Sequence, residues 1–132
     1  LMDGLLAVEG GRQSPTGALF NEFPHRIEDS LLLVAAGYAA GEPTLGWAAA
    51  LLAMSTAYSR ALGGAIGLPQ DFCGPMAKQH RMALLTAAAL ASAALPSLPV
   101  MTATLAVICA GAAITCARRL LRQARALKEA AR

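Results

Sequence analysis

Asn21, Glu22, His25, Arg26 and Asp29 recur at steps of three and four residues, the spacing that gathers side chains on one face of an α-helix. That face joins a carboxamide, an imidazole, a guanidinium and two carboxylates, just before the apolar run LLLVAAGYAAG. Ionisable groups beside an apolar span are costly to bury, so they turn to a cavity, a partner or a ligand. Asp3, followed at once by Gly4, stands upstream across the turn GGRQSPT at 10–16, close enough to meet the same face. Oxygen and imidazole ligands of this kind suit Mg²⁺ or Mn²⁺. A hard divalent ion in such a place points to phosphate chemistry, where it neutralises a diphosphate and stabilises the leaving oxygen. An interfacial helix whose charges only face water fits the same pattern.

A second cluster, Lys78, His80 and Arg81, closes the stretch GAIGLPQDFCGPMAKQHR at 64–81. Cations at a helix start can hold a phosphate. They can equally do no more than keep a loop on the cytoplasmic side of a membrane.

The elements that must position these residues are apolar. Apolar types make up 56% of the 132 residues and charged types 14%, against about 25% charged in an ordinary globular domain; the mean hydropathy is +0.50. Alanine, leucine and glycine dominate, which suits helices packed closely in a membrane. A first helix is expected over about 17–40, with Thr16 as its cap, and a second from Pro43 to Ser59, ended by Arg60. Trp47 and Tyr58 then fall near the two interfaces. Between Arg81 and Arg118 lie 36 residues without a charge. As one helix they would measure about 54 Å, too long for a hydrocarbon core of about 30 Å. Pro96 and Pro99 divide them into spans at about 82–95 and 99–117. The tail RRLLRQARALKEAAR carries six basic residues and one acid, enough to favour anionic lipid headgroups.

Four alternating spans put the N-terminal segment, the 64–81 loop and the tail on one side, and those segments carry nearly all Lys and Arg. The positive-inside rule makes that side the cytoplasm. A secretory signal peptide is not expected, because the chain opens with no basic region followed by a short apolar segment and a cleavage site. Cys73, Cys109 and Cys116 have neither metal-ligand nor disulfide-framework spacing and read as small apolar fillers. A net charge of +3, distributed by topology, argues against a nucleic-acid partner.

Asp3-Gly4, two residues, Ala7-Val8, eight residues, Gly17, three residues, Asn21, three residues, His25: this spacing resembles the signature of the CDP-alcohol phosphatidyltransferase family. There the pattern is Asp, two residues, Asp-Gly, two residues, Ala-Arg, eight residues, Gly, three residues, Asp, three residues, Asp. The signature's first Asp would fall just before Leu1, so further N-terminal sequence is expected. The resemblance implies an all-α integral-membrane bundle of six transmembrane helices, of which this chain would supply the last four as one catalytic domain. It has a motif region at 1–29 and a basic cytoplasmic tail at 118–132. The stretch DFCGPMAKQHR resembles a divergent branch of the same family.

The resemblance also implies the chemistry. A divalent ion, Mg²⁺ or Mn²⁺, held by Asp3, Asn21 and Glu22, sits at the diphosphate of a CDP-linked lipid donor such as CDP-diacylglycerol. His25, with Glu22 and Asp29 as substitutes, deprotonates a small or lipid alcohol acceptor, and CMP leaves. Gly4, Ala7 and Gly17, with Lys78 and Arg81, bind the nucleotide and its phosphates. A homodimer and a place in the bacterial cytoplasmic membrane follow from the family too. This chain has Val8 where the signature has Arg, Asn21 where it has its third acid and His25 where it has its fourth. Histidine suits the base, with a pKa of about 6.5. The alternatives are a catalytically degenerate protein on the same scaffold and a small membrane transporter subunit.

Overall fold

The computed structural model of the chain describes residues 15–69, 74–96 and 98–131, with side chains from residue 20 onward apart from that of residue 21. The described residues form an all-α, four-helix bundle: α1 (Pro15–Ala39), α2 (Pro43–Ala65), α3 (Lys78–Ala94) and α4 (Val100–Ala130). Asp3, Gly4 and Ala7 lie outside the described residues, as do Asp71 and Cys73; Gly17 and Asn21 lie on α1.

Local chemistry sets the breaks. Gly41 takes φ 74°, the left-handed conformation that ends helices at little cost for glycine. The Glu42 amide then reaches back to the Gly37 carbonyl at 2.8 Å, and Pro43 opens α2, where its missing N–H is no loss. Gly67 ends α2 in the same manner, with φ 82° and the Leu68 amide on the Gly63 carbonyl at 3.0 Å.

The helices alternate in direction. α1 and α2 form a tight antiparallel hairpin, and they meet at Gly37 and Gly46. A Cβ built on Gly37 would lie 2.6 Å from the Gly46 Cα, so only glycine permits this approach. α2 and α4 run parallel: Cys109, Cys116 and Gln123 meet the carbonyls of Leu45, Ser55 and Ser59 in that order. α3 packs chiefly against α4. The apolar core holds Leu33, Ala49, Ala53, Met76, Leu105 and Ile108. Cys109 and Cys116 are free thiols, half-buried.

Several expected boundaries move. α1 starts at Pro15, which puts Thr16 inside the helix and not at its cap, and α2 runs on past Arg60 to Ala65. α3 starts at Lys78, inside the stretch expected as loop, so Lys78, His80 and Arg81 occupy its first turn. The basic tail continues α4 without a break to Ala130; the change at Arg118 is one of polarity, not of backbone. Among the described helices α4 alone is long and apolar enough to cross a membrane by length and composition. The first half of α1 carries Glu22, Arg26, Glu28 and Asp29, α2 is diluted by Pro, Thr, Ser and Gly, and the 17 residues of α3 reach only about 26 Å.

Beside the apolar core, polar side chains are buried and large apolar ones are exposed. Asp29, Thr56, Ser59, Arg81, Thr115, Arg119 and Gln123 are buried, while Leu51, Trp47, Tyr58 and Leu90 are more than half exposed.

Candidate functional site

The buried polar groups collect at one end of the bundle, where α1 and α3 begin and where the later halves of α2 and α4 lie. Thr56 is their centre. Its hydroxyl donates to the Ala53 carbonyl at 2.8 Å and accepts from Arg81 Nη1 at 3.3 Å. Its carbonyl accepts from Arg119 Nη1 at 2.7 Å and from the Ser59 hydroxyl at 3.0 Å. Gln123 Nε2 bonds the Ser59 carbonyl at 2.8 Å. Side chains of α4 thus bond to main-chain oxygens of α2, which gives the buried Arg119 and Gln123 acceptors in the interior.

The segment before α3 is fixed to α4. Gly74, at φ 145°, lies against the Thr115 side chain, where a Cβ would collide. The Met76 amide donates to Thr115 Oγ1 at 3.2 Å, and the Met76 side chain covers Gly111. This explains Gly74-Pro75-Met76 in physical terms: it lays the chain on α4 so that Lys78 and Arg81 enter the polar end at a set height.

The result is a cavity of about 410 Å³ whose wall includes Arg26, Arg60, Lys78, His80, Arg81 and Arg119, with Thr56 and Gly74. Arg81 is 1% exposed; its Nη1 also donates to the Met76 carbonyl at 3.1 Å. Its Nε finds no acceptor among the described residues. Burial pulls the Arg81 pKa below its ordinary value; Asp29 opposes this, and Arg26 and Arg119 add to it as like charges. An arginine remains charged regardless, so the site concentrates positive charge that water does not screen.

The described expected site residues fall into two groups. Lys78, Arg81 and Asp29 come together: Asp29, 5% exposed, has Lys78 Nζ at 3.7 Å, Arg81 Nη2 at 3.7 Å and Arg26 Nη1 at 3.9 Å. A carboxylate among three cations acts as their counter-charge. His25 and Glu22 lie outside the described cavity wall. His25 Nδ1 pairs with Glu28 at 2.9 Å, while Glu22 Oε1 receives both Arg26 and, at 2.8 Å, Arg60 from α2. The two arginines outweigh partial burial and hold the Glu22 pKa below the usual carboxylate value. No group of three or more His, Cys, Asp or Glu that could hold a metal ion occurs among the described residues. Of the expected ligands, Asp3 and the Asn21 side chain lie outside the described set.

Arg26 belongs to the polar face read from the sequence; Arg60, Thr56 and Arg119 are site residues that motif reading does not single out. A signal exists nonetheless. Arg60 and Arg118-Arg119 end the apolar runs, and alternating helices bring those ends level with Lys78 and Arg81.

No family model matches this chain, and no curated protein is similar enough to count as a relative. The family resemblance rests on the spacing from Asp3 to His25 and on the stretch around Lys78.

Proposed function

We propose that the chain is the catalytic part of an integral-membrane phosphotransferase that moves a substituted phosphate group from a CDP-linked lipid donor to an acceptor alcohol, with release of CMP. The observation that carries the proposal is the basic cavity. Arg26, Arg60, Lys78, Arg81 and Arg119 converge on one space, and guanidinium groups in a partly desolvated pocket recognise phosphate oxygens by directed, charge-assisted hydrogen bonds. The volume of about 410 Å³ is ample for a diphosphate. The family's signature spacing supplies the donor class. His25 is the base for the acceptor hydroxyl, with Glu22 as its substitute; Asp29, ion-paired to three cations, is not carried into this role. A divalent ion, when bound by Asp3, Asn21 and Glu22, would neutralise the diphosphate and its leaving oxygen.

The membrane setting is part of the same proposal. Exposed Leu51, Trp47, Tyr58 and Leu90 around buried Arg81 and Arg119 suit a bundle whose solvent is lipid, and α4 has the length and composition of a span. The cavity end is cytoplasmic by the distribution of Lys and Arg, and the exposed cations of α4 beyond Arg118 meet anionic headgroups. A binding protein on the same scaffold is the second reading. Glu22, engaged by Arg26 and Arg60, favours it.

The test is CMP release from CDP-diacylglycerol by the full-length protein in lipid, with and without Mg²⁺ or Mn²⁺, across a panel of acceptor alcohols. Metal-dependent release that is lost in Asp3→Ala and His25→Ala supports the enzyme. CDP-diacylglycerol that binds without turnover on any acceptor selects the second reading, and a chain that does neither overturns both.

A further inference from the structure

Asp29 is placed behind the cations and not beside the ligand space. The cavity wall contains Arg26, Lys78 and Arg81 but not Asp29. Asp29 lines a separate crevice that shares Arg26 and Arg81 with the cavity wall, bordered by Ser30, Ala53 and Met54 and too narrow for a water molecule. Its contacts with the three cations run from 3.7 to 3.9 Å. These are ion-pair distances without hydrogen-bond geometry, and Asp29 Oδ2 accepts no hydrogen bond from the described residues. The Arg81 Nε likewise has no acceptor among them. Arg26 is also held by Glu22 and Arg81 by Thr56 and Met76; toward Asp29 the three cations are drawn by charge alone, which leaves Lys78 Nζ and Arg81 Nη2 with donor capacity.

We infer that Asp29 is a positioning residue of the anion site: from behind the wall it holds Arg26, Lys78 and Arg81 together and leaves their donors for a phosphate in the cavity. The inference rests on the cavity being a phosphate site. Three like charges within a few ångströms repel one another. Without an anion behind them Lys78, the most exposed of the three, turns toward solvent and the two arginines move apart as far as their other bonds allow, and a ligand must then regather them at its own expense.

This makes a prediction opposite in sign to the simplest electrostatic one. Taking a negative charge away from an anion site should tighten anion binding through the overall field. If Asp29 positions the cations, its removal weakens binding although the site becomes more positive.

The experiment titrates inorganic pyrophosphate into the full chain in lipid nanodiscs by calorimetry, for wild type, Asp29→Asn, Asp29→Glu and Lys78→Ala. Asp29→Asn is expected to bind about tenfold more weakly, a loss of about 1.4 kcal/mol. Asp29→Glu keeps the charge but cannot keep its place in a crevice closed to water. It is expected to bind about threefold more weakly with a thermal midpoint near that of wild type. A role limited to supplying charge for folding would leave the Glu variant at wild-type affinity, so this variant decides even if the Asn variant does not fold. Wild-type or tighter affinity in either folded Asp29 variant, with Lys78→Ala weakened, overturns the role of Asp29 alone. A wild-type chain that does not bind pyrophosphate overturns the phosphate-site reading beneath it.

Discussion

Arg119 Nη1 donates to the main-chain carbonyl of Thr56 at 2.7 Å, which ties the basic second half of α4 to the interior of α2. The same threonine carries Arg81 on its hydroxyl. Two buried arginines from different helices are thereby aimed from a single residue into the cavity. Thr56 needs no charge to do this, because a helix carbonyl and a hydroxyl supply two acceptors at adjacent positions.

Arg119→Met should separate binding from folding. Methionine keeps most of the aliphatic length and removes one of the mutually repelling buried cations, so stability changes little. A charge-assisted hydrogen bond to a phosphate oxygen is worth about 1.5–3 kcal/mol. Pyrophosphate affinity should fall at least tenfold in calorimetry, with a thermal midpoint near that of wild type. Unchanged affinity would remove Arg119 from the site.

Thr115→Val tests how Gly74-Pro75-Met76 places α3. Valine keeps the shape of threonine but deletes the acceptor of the Met76 amide, leaving a buried N–H unpaired at a cost of about 1–3 kcal/mol. Chemical denaturation should show a loss in that range. Pyrophosphate binding should weaken several-fold as well, because Lys78 lies two residues beyond Met76. A destabilised variant with intact binding would show that α3 is positioned by other contacts.

The helical content of the chain was legible because its breaks are written in Gly-Glu-Pro at 41–43 and in the prolines at 96 and 99. The start of α3 was legible from Gly74 and Pro75, which mark a loop, and from the cations at 78–81 that head the apolar run; its exact first residue was not, because Lys78-Gln79-His80 carries no cap signal. Lys78 and Arg81 were found from charge at the end of an apolar run. Arg60 and Arg119 have the same character, but their convergence depends on helix pairing, which no local pattern encodes. Asp29 was legible as a polar-face residue. That it also meets Lys78 and Arg81 of α3 follows only from the tertiary fold, since its neighbours on its own helix include Arg26 alone, three residues earlier.

Gly37→Leu should disrupt the α1–α2 hairpin. Gly37 and Gly46 meet backbone to backbone, and overpacking of such a contact costs about 1–3 kcal/mol or more. Gly41→Asn provides the comparison. Gly41 faces open space, and its φ of 74° is one that asparagine adopts with least strain among the other residues. The first variant should lower the thermal midpoint by several degrees, the second by much less. Equal effects would mean that the crossing tolerates a side chain and that α1 and α2 can separate.

Glu22 provides a pH test of the tie between α1 and α2. Partial burial raises its pKa, but the hydrogen bonds and charges of Arg26 and Arg60 prevail and the net shift is downward. A carboxyl whose pKa is lower in the folded chain contributes its full stability above the unfolded value, about 4.3. That contribution is lost as pH falls through the folded value. Glu22 is half exposed, its side chain at 52%, so the tie is worth only about 0.2–1 kcal/mol. Glu22→Gln should therefore be slightly less stable than wild type at neutral pH. The gap should narrow in high salt and close as pH falls below about 4. Thermal midpoints of both proteins across that range measure it directly. A gap that persists undiminished in acid would assign the effect of Glu22 to packing, and the Arg60 bridge would then have no part in holding the two helices together.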